Sequence, residues 1–410
     1  MIKNGLCIRG GKKHYRFILI IIVLLLSGCN NEVANNSATI SKYNESKENN
    51  IDAIYDTKET ESIAQVIEND DNNYSNTIVI DKQSVNDNNI DDDEGNEPNI
   101  TSIIINAAGD CTLGTDEVLN QYSYKTFMEE YEDQKQSKTY FFQKVLPIFD
   151  KDDLTVVNLE TTLTTAEKKA NKKYRFKGYP EFNQILVEGS IEAVNLANNH
   201  IYDYLKQGYE ETMKYLDEVG VSYFGNENYC IKDIKGIKIG LLGYEGFNYS
   251  TKVKERIKKQ ITYLKDEGCK LIIVSFHWGQ EYSFLPNNTQ KKLGHYVIDE
   301  GADLVLGHHP HVMQGIEKYN DKYIVYSLGN FCFGGNLNPK DKDTFIFQQT
   351  FDFDNNSEII YNNIEIIPCS ISSSEDRNDF QPVPLDEDNY DRIIRRINDY
   401  SKNLNFNYEN

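Results

Sequence analysis

From residue 101 onward, the sequence alternates between short apolar runs typical of strands and segments with helical periodicity. Such alternation predicts an α/β domain whose parallel strands are covered by helices. The predicted strands are Ile103–Ala108, Leu154–Asn158, Ile191–Leu196, Ile237–Leu242, Leu271–Phe276 and Asp303–Leu306. The predicted helices are Tyr140–Phe149, Tyr204–Val219, Val253–Glu267 and Asn288–Glu300. Later segments predict antiparallel strands and a final helix, over Gln314–Tyr326, Asp343–Phe353, Glu358–Ile367 and Asp391–Leu404.

Most of these strands end in residue types that bind metals or transfer protons. Five of the chain's seven histidines lie in the last three of the strand-end segments. The segments are Gly109-Asp110, Asn158-Leu159-Glu160, Asn198-Asn199-His200 with Asp203, His277 to Glu281, and Gly307 to His311. Ligands bind at the carboxyl ends of strands in such sheets, and these oxygen and imidazole donors suit Mn, Fe or Zn. The pattern therefore predicts a centre with one or two divalent metal ions.

Together with Ser327-Leu328-Gly329-Asn330-Phe331, these ordered motifs resemble the calcineurin-like metallophosphatase superfamily. The resemblance is specifically to its CapA branch, which is linked to poly-γ-glutamate capsule synthesis, and it spans residues 109–331. It implies a metallophosphatase-like sandwich of two mixed sheets packed face to face and flanked by helices. Two metal ions about 3.5–4 Å apart in such a site can stabilise in-line displacement at phosphorus.

The resemblance also implies which residues hold the metal ions. The implied ligands are Asp110, Glu160, Asn199, His277, His309 and His311. The superfamily's bridging aspartate has no identical counterpart here; Glu160 or Asn158 would take its place, and Glu160 is favoured. His308 matches no ligand position of the motif.

Two further residues are candidates for catalysis. By resemblance, His200 would lie beside the substrate as a general acid or as a charge donor to the transition state. Asp203, three residues later, would orient His200. The chain also departs from the superfamily, because the usual Asp-x-His motif is replaced by Asp110-Cys111-Thr112. One imidazole is therefore missing, which leaves open how many metal ions bind and whether ordinary phosphatase activity survives.

Three functions remain open from the sequence. The first is a metal-dependent hydrolase or transferase acting in the synthesis or anchoring of a poly-γ-glutamate-like polymer, at either phosphorus or an amide carbonyl. The second is a non-catalytic assembly factor that binds the polymer or a membrane synthase complex, and the third is a general envelope metallophosphoesterase. A basic cluster is either a patch for the anionic polymer or a solvated loop; it comprises Lys168, Lys169, Lys172, Lys173 and Arg175.

The N-terminal quarter has a different composition. Residues 1–28 carry five basic side chains and no acidic ones, and the apolar run Phe17–Leu26 is followed by Ser27, Gly28 and Cys29. Ten apolar residues are too few to span a bilayer. The pattern resembles a lipoprotein signal peptide, with cleavage before Cys29 and lipidation of its thiol, which predicts anchoring on the extracytoplasmic face of a bacterial membrane.

Residues 30–100 hold 17 acidic residues, four lysines and neither Phe nor Trp. Such a segment buries too little apolar area to fold, so residues 29–100 are predicted to be a disordered tether. The folded part would comprise a domain over 101–370 and a C-terminal segment over 371–410. The net charge of -21 would repel a phosphate backbone, which argues against binding of nucleic acid.

Overall fold

The computed structural model describes residues 7–9 and 100–409. Most of the predicted signal peptide, Cys29 and the predicted tether up to residue 99 lie outside this range, so their predictions remain predictions. No helix within the described part is both long and apolar enough to cross a bilayer.

The strands belong to two large mixed sheets and one small ribbon. In chain order they are β1 (Cys7–Arg9), β2 (Thr101–Thr112), β3 (Leu154–Leu159), β4 (Thr162–Leu163), β5 (Lys177–Gly178), β6 (Ala193–Asn195), β7 (Ser222–Phe224), β8 (Cys230–Ile234), β9 (Ile237–Glu245), β10 (Leu271–His277), β11 (Leu304–His308), β12 (Ile316–Tyr319), β13 (Lys322–Val325), β14 (Asn330–Phe333), β15 (Asp343–Phe353), β16 (Ile359–Ser370) and β17 (Val383–Pro384). The helices are α1 (Phe127–Asp133), α2 (Leu146–Phe149), α3 (Asn183–Glu188), α4 (Leu205–Val219), α5 (Thr251–Asp266), α6 (Asn288–Glu300) and α7 (Glu387–Ser401).

The first sheet has the strand order β1-β8-β9-β10-β11-β13-β12, with β9, β10, β11 and β13 parallel. The second has the order β17-β16-β15-β2-β3-β6-β7, with β2, β3, β6 and β7 parallel and β14 added beside β2. The predicted α/β class is therefore confirmed. Because β1 lies inside the predicted signal peptide, removal of that peptide would leave six strands in the first sheet.

The two sheets share one apolar core. Ile105 of β2 in the second sheet belongs to the same buried cluster as Ile239 of β9 and Ile273 of β10 in the first sheet. Ile393 and Ile397 of α7 join this cluster, so the C-terminal segment packs on the same core as the rest. This shared core brings together the carboxyl ends of the parallel strands from both sheets.

One predicted helix differs from the structure. The segment 140–149 is helical only at Leu146–Phe149, and residues 140–145 form turns. Pro147 explains the late start, because proline lacks an N–H and its ring clashes with the preceding turn, so it is tolerated only in the first turn of a helix. The helix predicted over Asn288–Glu300 has the same bounds in the structure, where it is α6.

Candidate metal centre

The predicted ligands meet where the strand ends of the two sheets face each other. Asp110 lies in β2 and Glu160 directly follows β3, both in the second sheet. His277 ends β10 in the first sheet, and His309 and His311 follow β11 in the same sheet. The carboxylates therefore come from one sheet and these three imidazoles from the other.

Asp110 is fixed by its backbone and by a close approach of two strands. Its N–H donates to the Gly329 carbonyl over 2.9 Å. A Cβ at Gly109 would lie only 2.1 Å from that same carbonyl oxygen, so only glycine fits before Asp110. The carboxylate accepts from Nδ2 of Asn158 at 2.8 Å and lies 3.2 Å from Nδ1 of His311.

Glu160 is fully buried, and neither of its carboxylate oxygens has a hydrogen-bond partner among the described residues. Three imidazoles surround it instead. Its Oε1 lies 3.6 Å from Nε2 of His277, 3.8 Å from Nε2 of His311 and 3.9 Å from Nε2 of His200. Buried carboxylates are normally paired or bound to a metal, so this arrangement is the one that a cation would satisfy.

His309 and His311 lie on either side of Pro310 in a strained backbone. Their φ angles are 94° and 57°, in the region that favours glycine. Such strain clusters at functional sites. Nδ1 of His309 is buried without a hydrogen-bond partner in the described part of the chain, whereas Nδ1 of His311 lies 2.9 Å from Oδ1 of Asn330.

The donor atoms are close enough to share cations. Glu160, His277 and His309 offer ligand atoms within 4.8 Å of one another, and so do Asp110, Glu160 and His311. Glu160 belongs to both groups, which is the position expected of a bridging ligand between two metal ions. The chemistry of the donors and the unpartnered carboxylate both fit one or two divalent cations.

Asn199 and Asn158 have different roles in the structure. Oδ1 of Asn199 lies 2.9 Å from Nε2 of His277, beside the ligand groups. Oδ1 of Asn158 accepts from the side-chain amides of Asn195 and Asn198, at 3.0 and 3.2 Å. Because these donors occupy the Asn158 oxygen, the geometry favours Glu160 over Asn158 as the bridging group.

His200 and Asp203 form the predicted pair. Nδ1 of His200 lies 2.7 Å from Oδ2 of Asp203, and Lys172 donates to the other carboxylate oxygen of Asp203 at 2.6 Å. Lys172 also donates to the backbone carbonyl of Asn199 over 2.8 Å. With the Asp203 carboxylate accepting at Nδ1, the Nε2 atom of His200 is directed toward Glu160.

Burial and the neighbouring charges shift the pKa values of the centre in opposite directions. Burial, reinforced by Asp110, raises the pKa of Glu160 well above its usual range. For Asp110, contacts with His308 and His311 outweigh burial and hold its pKa well below the usual range. Burial, followed by repulsion from His311, lowers the pKa of His309 to about 4. Burial would also lower the pKa of His311, but the charges of Glu160 and Asp110 outweigh it and raise this pKa to about 10. Strong shifts of this kind are concentrated at functional sites.

A cleft of about 580 Å³ opens beside the centre. His200, Glu281, His311 and Asn330 are among the residues that line it. Its other walls are largely aromatic, with Tyr122, Tyr124, Tyr174, Phe176, Tyr282, Phe284 and Phe333. The cleft gives a substrate access to the imidazole of His200 while the ligand carboxylates stay buried.

All of the predicted site residues in the described range come together, but the sequence reasoning missed several neighbours. His308, which was left out, is fully buried, with Nδ1 3.4 Å from Oδ1 of Asp110. Lys172 was treated only as part of a basic cluster, and Asn198 only as part of a motif. Glu281 was quoted in a motif without a role, although an acidic side chain just after a strand end was a signal that could have identified it.

Comparisons with known proteins identify the family of the chain. A family model described as "Bacterial capsule synthesis protein PGA_cap" matches residues 104–335, more than half of the chain. The chain belongs to this family. It is 30% identical over 258 residues to the capsule biosynthesis protein CapA of Bacillus anthracis, covering 57% of this chain and 61% of that protein. It is 33% identical over 229 residues to the PGA biosynthesis protein CapA of Bacillus subtilis (strain 168), covering 50% of this chain and 60% of that protein.

The match therefore spans about three fifths of the length of these curated PGA_cap relatives. A hypothetical protein from Thermus thermophilus, known from a crystal structure, aligns with 65% of this chain and 99% of its own. Its sequence identity is 13% and its TM-score is 0.40, which is too low to carry an argument.

Proposed function

We propose that this PGA_cap protein acts in the synthesis or anchoring of a poly-γ-glutamate-like capsule polymer, as a metal-dependent hydrolase or transferase. Membership of the family and the names of the two CapA relatives support the capsule role. The lipoprotein signal predicted at Cys29 supports a position on the extracytoplasmic face of the membrane. There the polymer, and a membrane synthase complex if one assembles with it, would be its partners.

The observation that carries the proposal is the unpartnered, fully buried carboxylate of Glu160 among three imidazoles. A carboxylate left this way destabilises a fold by about 1–3 kcal/mol unless something satisfies it. A purely structural role does not account for such a group beside His200 and His311, which line the cleft. A divalent cation would satisfy Glu160 together with Asp110, His277, His309 and His311.

The remaining residues are placed to bind substrate and to move a proton. A divalent cation, when bound, would act as a Lewis acid that polarises a phosphoryl or amide oxygen. The carboxylate of Asp203 holds His200 at Nδ1, and His200 lines the cleft with its Nε2 3.9 Å from Oε1 of Glu160. Burial lowers the pKa of His200 against the opposing effect of Asp203, so its neutral form can accept a proton from a nucleophile and later return it to a leaving group.

The missing imidazole favours a second candidate function, a non-catalytic assembly factor. Thr112 stands in the position of that imidazole, and its hydroxyl donates to the backbone carbonyl of Glu160 over 3.1 Å. Burial raises the pKa of the adjacent Cys111 to about 12, so its thiol is a poor replacement ligand at neutral pH. A centre with weakened metal binding could serve to hold a polymer rather than to cleave it.

One experiment separates these functions. The protein is purified, its metal content is measured by elemental analysis, and turnover is assayed on phosphoesters and on γ-glutamyl polymer. Capsule production is measured in cells that carry the same variants. We expect His309→Ala to lose both bound metal and turnover. His295→Ala should keep both, because His295, on α6, pairs with Glu317 and lies apart from the ligand groups.

The outcomes have distinct meanings. Turnover of the γ-glutamyl polymer that is lost in His309→Ala supports the proposal. Capsule production that is unchanged by His309→Ala, with no turnover of any substrate, would favour the assembly factor. Release of phosphate from simple esters without any effect on the polymer would identify a general envelope metallophosphoesterase instead.

A further inference from the structure

The position of Thr112 leaves the metal centre one donor short of the superfamily pattern. Its hydroxyl is used by the Glu160 carbonyl, and the Sγ of Cys111 lies 3.7 Å from the carbonyl of Gly109. Neither side chain is therefore directed to the centre as a ligand. The question is which other residue of this chain supplies a donor.

Glu281 is an acidic side chain near the centre that has no role in the proposed function. Its carboxylate, an imidazole nitrogen of His309 and one of His311 lie within 4.8 Å of one another. Unlike Asp110 and Glu160, Glu281 is exposed and lines the cleft. It therefore faces the centre from the side on which a substrate would enter.

The loop that carries Glu281 is fixed against the two histidines rather than free. The N–H of Tyr282 donates to the carbonyl of Pro310, the residue between His309 and His311, over 2.8 Å. Next along the chain, Nε2 of Gln314 donates to the carbonyl of Ser283 over 2.7 Å. These two hydrogen bonds hold the backbone that directly follows Glu281 against the histidine segment, as a ligand requires.

We propose that Glu281 is a metal ligand of this chain, which supplies a carboxylate oxygen in place of the imidazole that Thr112 lacks. The inference rests on the proposed function, because it assumes the metal centre. Replacing an imidazole by a carboxylate makes the donor set harder, and harder donors favour Mn²⁺ relative to Zn²⁺. The donor set therefore favours Mn²⁺, with Glu281 as the ligand on the side of the centre that faces the cleft.

The test uses the full chain, stripped with a chelator and titrated with Mn²⁺ and separately with Zn²⁺ by calorimetry. We expect Glu281→Gln to weaken Mn²⁺ binding by about tenfold or more, the range found when the support of a metal site is removed. Glu281→His should recover binding of Zn²⁺ more than of Mn²⁺. Because Glu281 is exposed, the unfolding midpoint of the metal-free variants should equal that of the wild type, which shows that they fold.

The matched control is Glu245→Gln. Glu245 ends β9 directly beside His277 in the sheet register and is exposed, but its carboxylate belongs to none of the ligand groups in the described range. The Glu245→Gln variant should therefore bind Mn²⁺ as tightly as the wild type. An equal loss in both variants would overturn the assignment, because it would reflect the general loss of negative charge at this edge.

Failure of the ligand assignment differs from failure of the metal centre. If the wild type binds Mn²⁺ and Glu281→Gln binds it equally well, Glu281 is not a ligand and the proposed function still stands. If the wild type binds neither metal ion, the proposed function fails as well. His309→Ala, which should abolish binding, shows that the titration reports on this centre.

Discussion

Glu160 and Asn158 differ in how their buried polar atoms are satisfied. It is buried, unpartnered among the described residues and next to a second carboxylate, Asp110, whose charge helps to raise the pKa of Glu160. Asn158 has the opposite arrangement, since both ends of its side-chain amide are satisfied. Under the proposed function, Glu160 would bind the cation and Asn158 would position its neighbours.

Substituting Glu160 tests this interpretation. Because a buried carboxylate without partners is costly, we expect Glu160→Gln to make the metal-free protein more stable, by about 1–3 kcal/mol, and to abolish stabilisation by added Mn²⁺. Denaturant unfolding with and without chelator measures both effects. Glu317→Gln is the control: the Glu317 carboxylate is already paired with His295, so its loss should not add stability. A less stable metal-free Glu160→Gln would contradict the interpretation.

The strands β2 and β14 approach so closely that the position of Asp110 depends on Gly109. We expect Gly109→Ala to cost about 1–3 kcal/mol, because its Cβ would overlap the Gly329 carbonyl, and also to weaken Mn²⁺ binding by displacing Asp110. Gly240→Ala on β9 is a steric control, since its Cβ would meet Leu264 at 2.6 Å in the apolar core instead. Unfolding and calorimetry should show lost stability in both variants but lost metal affinity only in Gly109→Ala.

Helix α4 is attached to the short strand β4 through Glu211. Its carboxylate accepts from the Thr164 hydroxyl at 2.6 Å and from the Thr165 N–H at 2.9 Å. Burial alone would raise the pKa of Glu211, but these two hydrogen bonds and the one from Gln207 outweigh it and lower the pKa to about 2. A lowered carboxyl pKa stabilises the fold above the ordinary value of 4.5, and this contribution is lost as the pH falls toward 2.

We therefore expect Glu211→Gln to be less stable than the wild type at pH 7, and the difference to shrink between pH 4.5 and pH 2. The effect should stay below about 1 kcal/mol, because the side chain is partly exposed to solvent. Glu210→Gln, whose exposed carboxylate pairs only with Lys206 among its described contacts, should show a smaller pH dependence. Urea unfolding at several pH values measures these stabilities. A stability difference between Glu211→Gln and the wild type that does not change with pH would contradict the lowered pKa of Glu211.

The sequence predicted those parts of the centre that depend on local pattern. Strand ends place Asp110, Glu160 and His277 because parallel strands deliver their last residues to one edge. The sequence could not show that Asn158 is saturated by amides from β6 and the loop after it, since these contacts arise only when β3 and β6 pair. The sequence could not show the hydrogen bond from Lys172 to Asp203 either, because these residues are 31 positions apart and meet only in the folded chain.

In the part of the molecule that the structure describes, the proposed ligands and three apolar clusters lie within residues 100–409. The function proposed for the N-terminal quarter is attachment. We expect Cys29→Ala to abolish incorporation of a labelled fatty acid in cells, whereas Cys7→Ala should retain it, since only Cys29 follows the apolar run and small residues of the signal. Lipid labelling that persists in Cys29→Ala would contradict the predicted anchor.

The division of ligands between the two sheets has a mechanical consequence. Asp110 and Glu160 belong to one sheet, whereas His277, His309 and His311 belong to the other. Under the proposed function, a cation held by both groups would crosslink the two sheets, so its removal should loosen the strand ends that carry these residues before the apolar interior. Amide hydrogen exchange would then accelerate first around the carboxyl ends of β2 and β11, and the ion that serves the chemistry would also keep the two halves of the domain in alignment.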